Sequence, residues 1–164
     1  MRKAVVLIAG LLILAGVTAA ISSKEQLLVS GRVVFLELAP VDPRSLMQGD
    51  YMALRFKAAN DAFGTRMDQR SLPNDGRIVL SMDENGMAKF KRLDNGSPLA
   101  ADEVAMQYRI RDNKPRFATN AFFFQEGQAQ DYAKARYGEF RVAGSGECIL
   151  TNLRDENLAQ LGPH

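Results

Sequence analysis

The stretch Pro40 to Phe56, PVDPRSLMQGDYMALRF, gathers Asp42, Arg44, Ser45, Asp50 and Tyr51 among prolines and Gly49, a set of groups able to do chemistry. A carboxylate and a phenol at the mouth of a strand can hold a small polar ligand, so Asp50 and Tyr51 define one candidate pocket. The same residues suit a corner. Gly49 reaches backbone conformations closed to other residues, Asp50 bonds a nearby amide, and Tyr51, Leu54 and Phe56 run into or along a core. The corner is the stronger reading, and Asp42 with Arg44 then forms a surface ion pair worth little.

The rest of the chemical inventory is thin. His164 is the one histidine and ends the chain, which removes the commonest general base and the usual zinc ligand. Cys148 is the one cysteine, so no intramolecular disulfide forms. Its setting, GECIL, has nothing to lower a thiol pKa, and it reads as a buried structural thiol. Asp83 with Glu84 flanks a turn, Asp102 with Glu103 precedes a strand, and neither pair has calcium-loop spacing. No metal and no cofactor are expected.

A serine and lysine dyad needs no histidine, because a desolvated lysine serves as the base. Ser45 with Lys57, Lys89 or Lys91 is the one such pairing to weigh. The stretch is similar to the catalytic segment of type I signal peptidases, in which Ser-Met-x-Pro-Thr-Leu runs into Gly-Asp and a strand. Eight residues before Gly49 this chain has Val41 in place of the nucleophilic serine, and the proline is displaced to Pro43. The resemblance implies a membrane-tethered hydrolase only with Ser45 in a shifted register.

These groups must be carried by a chain of 164 residues, 46% hydrophobic and 24% charged, the balance of one globular domain. Met1-Arg2-Lys3 precedes an uncharged run of 18 residues, Ala4 to Ile21. As a helix that run reaches roughly 27 Å, close to the hydrocarbon thickness of a bilayer. It reads as an uncleaved anchor; the rival is a signal peptide cut after Val17-Thr18-Ala19. Either way Arg2 and Lys3 stay in the cytoplasm and the rest crosses, which in a bacterium places residues 24–164 in the periplasm behind an anchor of residues 1–23. Subtracting Arg2 and Lys3 from 21 basic residues leaves 19, equal to the 19 acidic ones. A neutral domain without a basic run gives no reason to expect nucleic-acid binding, despite the overall pI of 8.8.

After a polar joint at 22–26, the segment LLVSGRVVFLELAPV predicts a strand ending at Pro40. DPRSLMQGD predicts a turn with one helical turn closed by Gly49, and YMALRFKA alternates Met52, Leu54 and Phe56 against polar partners as a half-buried strand. Residues 58–76 read as a loop with a short helix near 60–67. RIVLSMDENGMAKFKRL is a hairpin on a type I′ Asn85-Gly86 turn. DEVAMQYRIR and RFATNAFFFQ read as a second hairpin broken at 112–115. EGQAQDYAKARYG reads as a helix stopped by Gly138, and EFRVAGSGECILTNL as two strands about Gly144-Ser145-Gly146. The sum is a mainly β or β-rich α+β domain of six to eight strands, an antiparallel sheet or partly open barrel with one or two short helices. Phe122, Phe123 and Phe124 are three successive aromatics, so on a strand at least one faces away from the others. If the sheet is covered on both faces the run is core, which is the stronger reading; otherwise an exposed phenylalanine offers a docking surface for a protein or lipid, with Glu126 and Gly127 beside it.

Together, APVDPRSLMQGDYMALRF and NAFFFQEGQAQDYAKARYGEFRV resemble the GDYXXLXY protein family, small bacterial membrane-anchored proteins. The signature here is Gly49-Asp50-Tyr51-Met52-Ala53-Leu54-Arg55-Phe56, with Phe56 where the family has tyrosine. Phe123-Phe124-Gln125-Glu126-Gly127 matches a second region, with Gln125 where proline is common. The resemblance implies an envelope protein, often encoded near a multi-spanning membrane protein, and supplies no catalytic residues. The expected function is a non-enzymatic, single-pass protein of the inner membrane that accompanies an integral membrane partner. The alternatives are the hydrolase and the small-ligand binder above.

Overall fold

The computed structural model describes residues 2–39, 47–48, 51–64, 73–111 and 114–162. It opens with a helix, α1, over Arg2–Ser30. From Val6 to Ile21 its apolar side chains face outward, including Val6, Leu11 and Leu14. A helix apolar on all sides has no face to bury against a soluble core. Its segment Val6–Ser30 is long and apolar enough to cross a membrane.

The polar joint expected at 22–26 and the strand start expected at Leu27 are both helical. Tertiary contact decides this: Leu27 is only 4% exposed, and Lys24 forms an ion pair with Glu147. Gly31 ends the helix, its amide donating to the Leu27 carbonyl at 2.9 Å. A Cβ at Gly31 would overlap that carbonyl.

The strands follow as β1 (Arg32–Glu37), β2 (Met47–Gln48), β3 (Tyr51–Ala53), β4 (Asp75–Met82), β5 (Met87–Leu93), β6 (Glu103–Arg111), β7 (Lys114–Arg116), β8 (Ala121–Phe123), β9 (Tyr137–Val142) and β10 (Cys148–Arg154). Seven of them form a curled half-barrel in the order β10-β9-β1-β5-β4-β6-β7. The domain is thus β-rich, as its alternating segments predict. Its sheet is mixed, because β1 and β5 run parallel with Phe35 opposite Met87. The other three strands make a separate small sheet, β2-β3-β8.

Alternation along the strands builds the core. Val34 and Leu36 on β1, Ile78 and Leu80 on β4, Met106 on β6, Phe140 on β9 and Leu153 on β10 have no exposed surface. Each such side chain removed from water contributes about 1.5–3 kcal/mol. Helix α2 (Lys57–Phe63) adds Ala58, Ala59, Ala62 and Phe63 to that core, with the Phe63 ring 4.7 Å from that of Tyr108. It starts earlier than the helix expected at 60–67; residues 65–72 of the expected loop lie outside the described residues.

Three local expectations are corrected. The 77–93 hairpin forms, but Asn85 keeps a negative φ while Gly86 alone is positive at 82°. The Asp83 carboxylate accepts from the Asn85 and Met87 amides at 3.0 and 2.9 Å, so the turn is a type I turn with a glycine bulge rather than type I′. The second hairpin exists only as β6 with the three-residue β7, and the chain then crosses to the small sheet. The segment 126–138 holds a single 3-10 turn, Ala129–Tyr132, and Gly138 lies inside β9. A Cβ at Gly138 would come within 2.8 Å of the Phe56 ring, so this glycine serves close packing, not helix termination.

Candidate functional site

The two motifs that are 70 residues apart in sequence meet in the small sheet. Tyr51 pairs with Phe123, Met52 with Phe122 and Ala53 with Ala121 across β3 and β8. Because successive strand residues face opposite sides, Met52 and Phe122 turn toward the core while Tyr51 and Phe123 share the other face. Their ring centroids lie 5.7 Å apart. Phe123 is 73% exposed, and Tyr51 is half-buried beside it.

The second half of the signature is structural in its contacts. Leu54 and Phe56 are each 2% exposed. Phe56 lies 5.2 Å from the Phe140 ring and 6.3 Å from that of Phe117, with Gly138 making room for it. Its backbone forms a bridge to Leu38 beyond β1, and the Leu54 amide donates to Asn120 at 2.7 Å. The segment therefore ties the small sheet to the large one. Met47–Gln48, expected in a helical turn, pairs with β3 as strand. Asp42, Arg44, Ser45, Gly49 and Asp50 lie outside the described residues.

The inward side of the aromatic run rests on Tyr132. Phe122 and Phe124 each sit 5.2 Å from that ring, Phe124 stacked at 21°. Glu126 and Gly127 are exposed in the turn that follows. The Gln128 amide donates to Gln125 at 3.1 Å and Gly127 has φ +86°, the type II geometry that favours glycine at its third position. Between β7 and β8 the chain reverses sharply at Ala118, with φ 55° and the Thr119 amide bonded to the Phe117 carbonyl. That strained corner lets Phe117 enter the large core while Phe123, six residues on, emerges on the small sheet.

None of the three lysines considered for a dyad is desolvated. Lys57 is exposed and pairs with Glu37 at 3.2 Å, and Lys89 is exposed. Lys91 pairs with Glu103 at 3.0 Å, and that hydrogen bond with its carboxylate charge raises the ammonium pKa, the opposite of what a lysine base needs. Among the described residues no group of histidine, cysteine and acidic side chains could hold a metal ion. Burial, reinforced by the Glu147 charge, pushes the Cys148 thiol up to about 12, so it is not a thiolate nucleophile at neutral pH.

Sequence reasoning missed the buried charges. Glu103 is 7% exposed and accepts from Lys91, from Arg92 at 3.3 Å and from the Ala100 amide at 3.1 Å. The Lys91 hydrogen bond, followed by that amide, holds its carboxyl below the usual range. Glu139, 5% exposed, is paired with Arg154 through both Nε at 2.6 Å and a terminal nitrogen at 2.5 Å. Glu139 and Arg154 meet across the paired strands β9 and β10, and Glu103 on β6 meets Lys91 and Arg92 on β5 across the intervening β4; no local pattern announces either meeting.

A half-barrel carried on an apolar helix, with its small sheet built from two separated aromatic motifs, defines a β-rich domain compatible with membrane anchoring. The sequence profile described as GDYXXLXY protein matches residues 13–153. The chain belongs to the GDYXXLXY protein family. No curated protein and no solved structure matches it.

Proposed function

We propose that the protein is a single-pass inner-membrane protein whose residues 24–164 fold in the periplasm and bind an integral membrane partner without catalysing a reaction. The observation that carries this reading is the Tyr51–Phe123 face, where a phenylalanine is left 73% exposed while the other described aromatic rings are buried or half-buried. A lone exposed aromatic backed by a second ring is the kind of rigid anchor that interfaces use. The exposed apolar surface of α1 supports the anchor, and Arg2 with Lys3 supports the orientation by the positive-inside rule.

The test is photo-crosslinking in intact cells with benzoylphenylalanine at position 123, and at 84 on the hairpin tip as the control. One integral membrane protein captured from 123 and not from 84, co-purifying in fixed ratio with the wild type and lost with Phe123→Ser, is the expected result. Identical adducts at both positions, or lipid adducts alone at 123, would overturn it.

A further inference from the structure

The domain is neutral in total, yet its charges are segregated. Register puts Asp75 opposite Arg109, and Arg77 opposite Gln107, across β4 and β6. Across β6 and β7 it puts Arg109 opposite Arg116 and Arg111 opposite Lys114. All these residues share the face opposite the buried Tyr108 and Ile110. Like charges directly across a ladder are unfavourable. On this face Asp75 is shared, lying 3.3 Å from Arg109 and 3.5 Å from Arg111, while Arg77 has its own partner in Asp94 at 2.8 Å. Cations on an edge strand block strand addition, which accounts for Lys114 and Arg116 on β7. It does not account for Arg109 and Arg111 on the inner strand β6.

Beside these arginines lies a groove of about 370 Å³, lined by Arg109, Arg111, Arg116, Cys148 and Glu147, with Lys24 closing it from α1. Lys24 is three residues past Ile21, the end of the uncharged run, or roughly 4.5 Å along a helix axis. A groove at that level opens where headgroup phosphates lie. Arginine forks match phosphate oxygens in paired hydrogen bonds.

We propose that this groove binds the phosphate of an anionic phospholipid headgroup, with Arg109 and Arg111 as the principal donors and Arg116 and Lys24 at its margin. The proposal rests on α1 being the anchor. It predicts that the full-length protein in mild detergent, offered equal phosphatidylglycerol and phosphatidylcholine, retains phosphatidylglycerol preferentially in native mass spectrometry. Arg109→Gln with Arg111→Gln is expected to weaken that retention by about fivefold per arginine, as for basic residues at a lipid surface. The charge-keeping pair Arg109→Lys and Arg111→Lys is expected to fall between the wild type and the glutamine variant, because an ammonium keeps the charge and loses the paired hydrogen bonds.

Equal retention of the two lipids, or phosphatidylglycerol retention unchanged in the glutamine variant, would overturn the proposal. So would displacement of the lipid by an equal concentration of inorganic phosphate, which would make the ligand a soluble anion. The intact mass tests the anchor separately. Loss of residues 1–19 overturns the lipid assignment through the anchor, whereas a full mass without lipid preference overturns the groove alone.

Discussion

Phe140 and Phe123 both stand on antiparallel strands, and their fates differ completely. Phe140, on β9 of the seven-stranded sheet, has no exposed surface and meets Phe56 edge to face. Phe123, on β8 of the three-stranded sheet, is 73% exposed and leans on Tyr51 alone among the ring contacts. Strand geometry is common to both, so the difference lies in what covers each face. The large sheet curls over its own core and takes α2 as a filler. The small sheet uses one face to join that core and leaves Phe123 exposed on the other. Stability is thereby concentrated in the half-barrel, and the small sheet is free to present a surface.

Substitutions at the two positions separate scaffold from surface. Phe140→Ala should produce the largest loss, about 3–5 kcal/mol from lost transfer and the cavity left behind, measured as a fall in the urea midpoint. Gly138→Ala should cost about 1–3 kcal/mol by overpacking, since its Cβ would press on the Phe56 ring at 2.8 Å. A near-neutral result there would mean that Phe56 is not clamped in place. Phe123→Ser should change stability by about 0.5 kcal/mol or less, the scale of an exposed cross-strand pair, while abolishing capture of the membrane partner. If instead it unfolds the protein, the small sheet is scaffold too and the contrast fails.

Much of the scaffold was legible because it obeys short-range rules. Met52, Leu54 and Phe56 alternate as a strand should, and all three are buried, although the strand itself stops at Ala53 and the end of the expected segment, Lys57 and Ala58, belongs to α2. Asp83 to Gly86 turns where the dipeptide says, although the Asp83 carboxylate, by capping two amides, selects a different turn. What could not be read depends on distant partners. Leu27 looks like the start of a strand, but its burial against the domain keeps it helical. Gly138 looks like a helix stop, and its reason is a ring 82 residues earlier. That β8 leaves the large sheet to pair with β3 has no local sign beyond the three phenylalanines. They place one ring on the face opposite the other two, which is Phe123, but leave open whether that face is covered. The front of the signature, Gly49 and Asp50, lies outside the described residues, and its role is part of the proposal only through its neighbour Tyr51.

The helix that begins at Arg2 does not stop at the end of its uncharged run. It continues nine residues past Ile21 to Ser30, roughly 13 Å of further rise, and Leu27 and Lys24 fasten that extension to the domain. Arg141 then reaches back to the Gly31 carbonyl at 3.3 Å. Stem and head are thus joined by direct contacts rather than by a bare linker. For a chain held by α1 as proposed, those contacts couple a tilt of the stem to a swing of the head and restrict the bearings open to the aromatic face. In the proposed complex, a partner in the same membrane would spend less binding energy arresting a tethered domain.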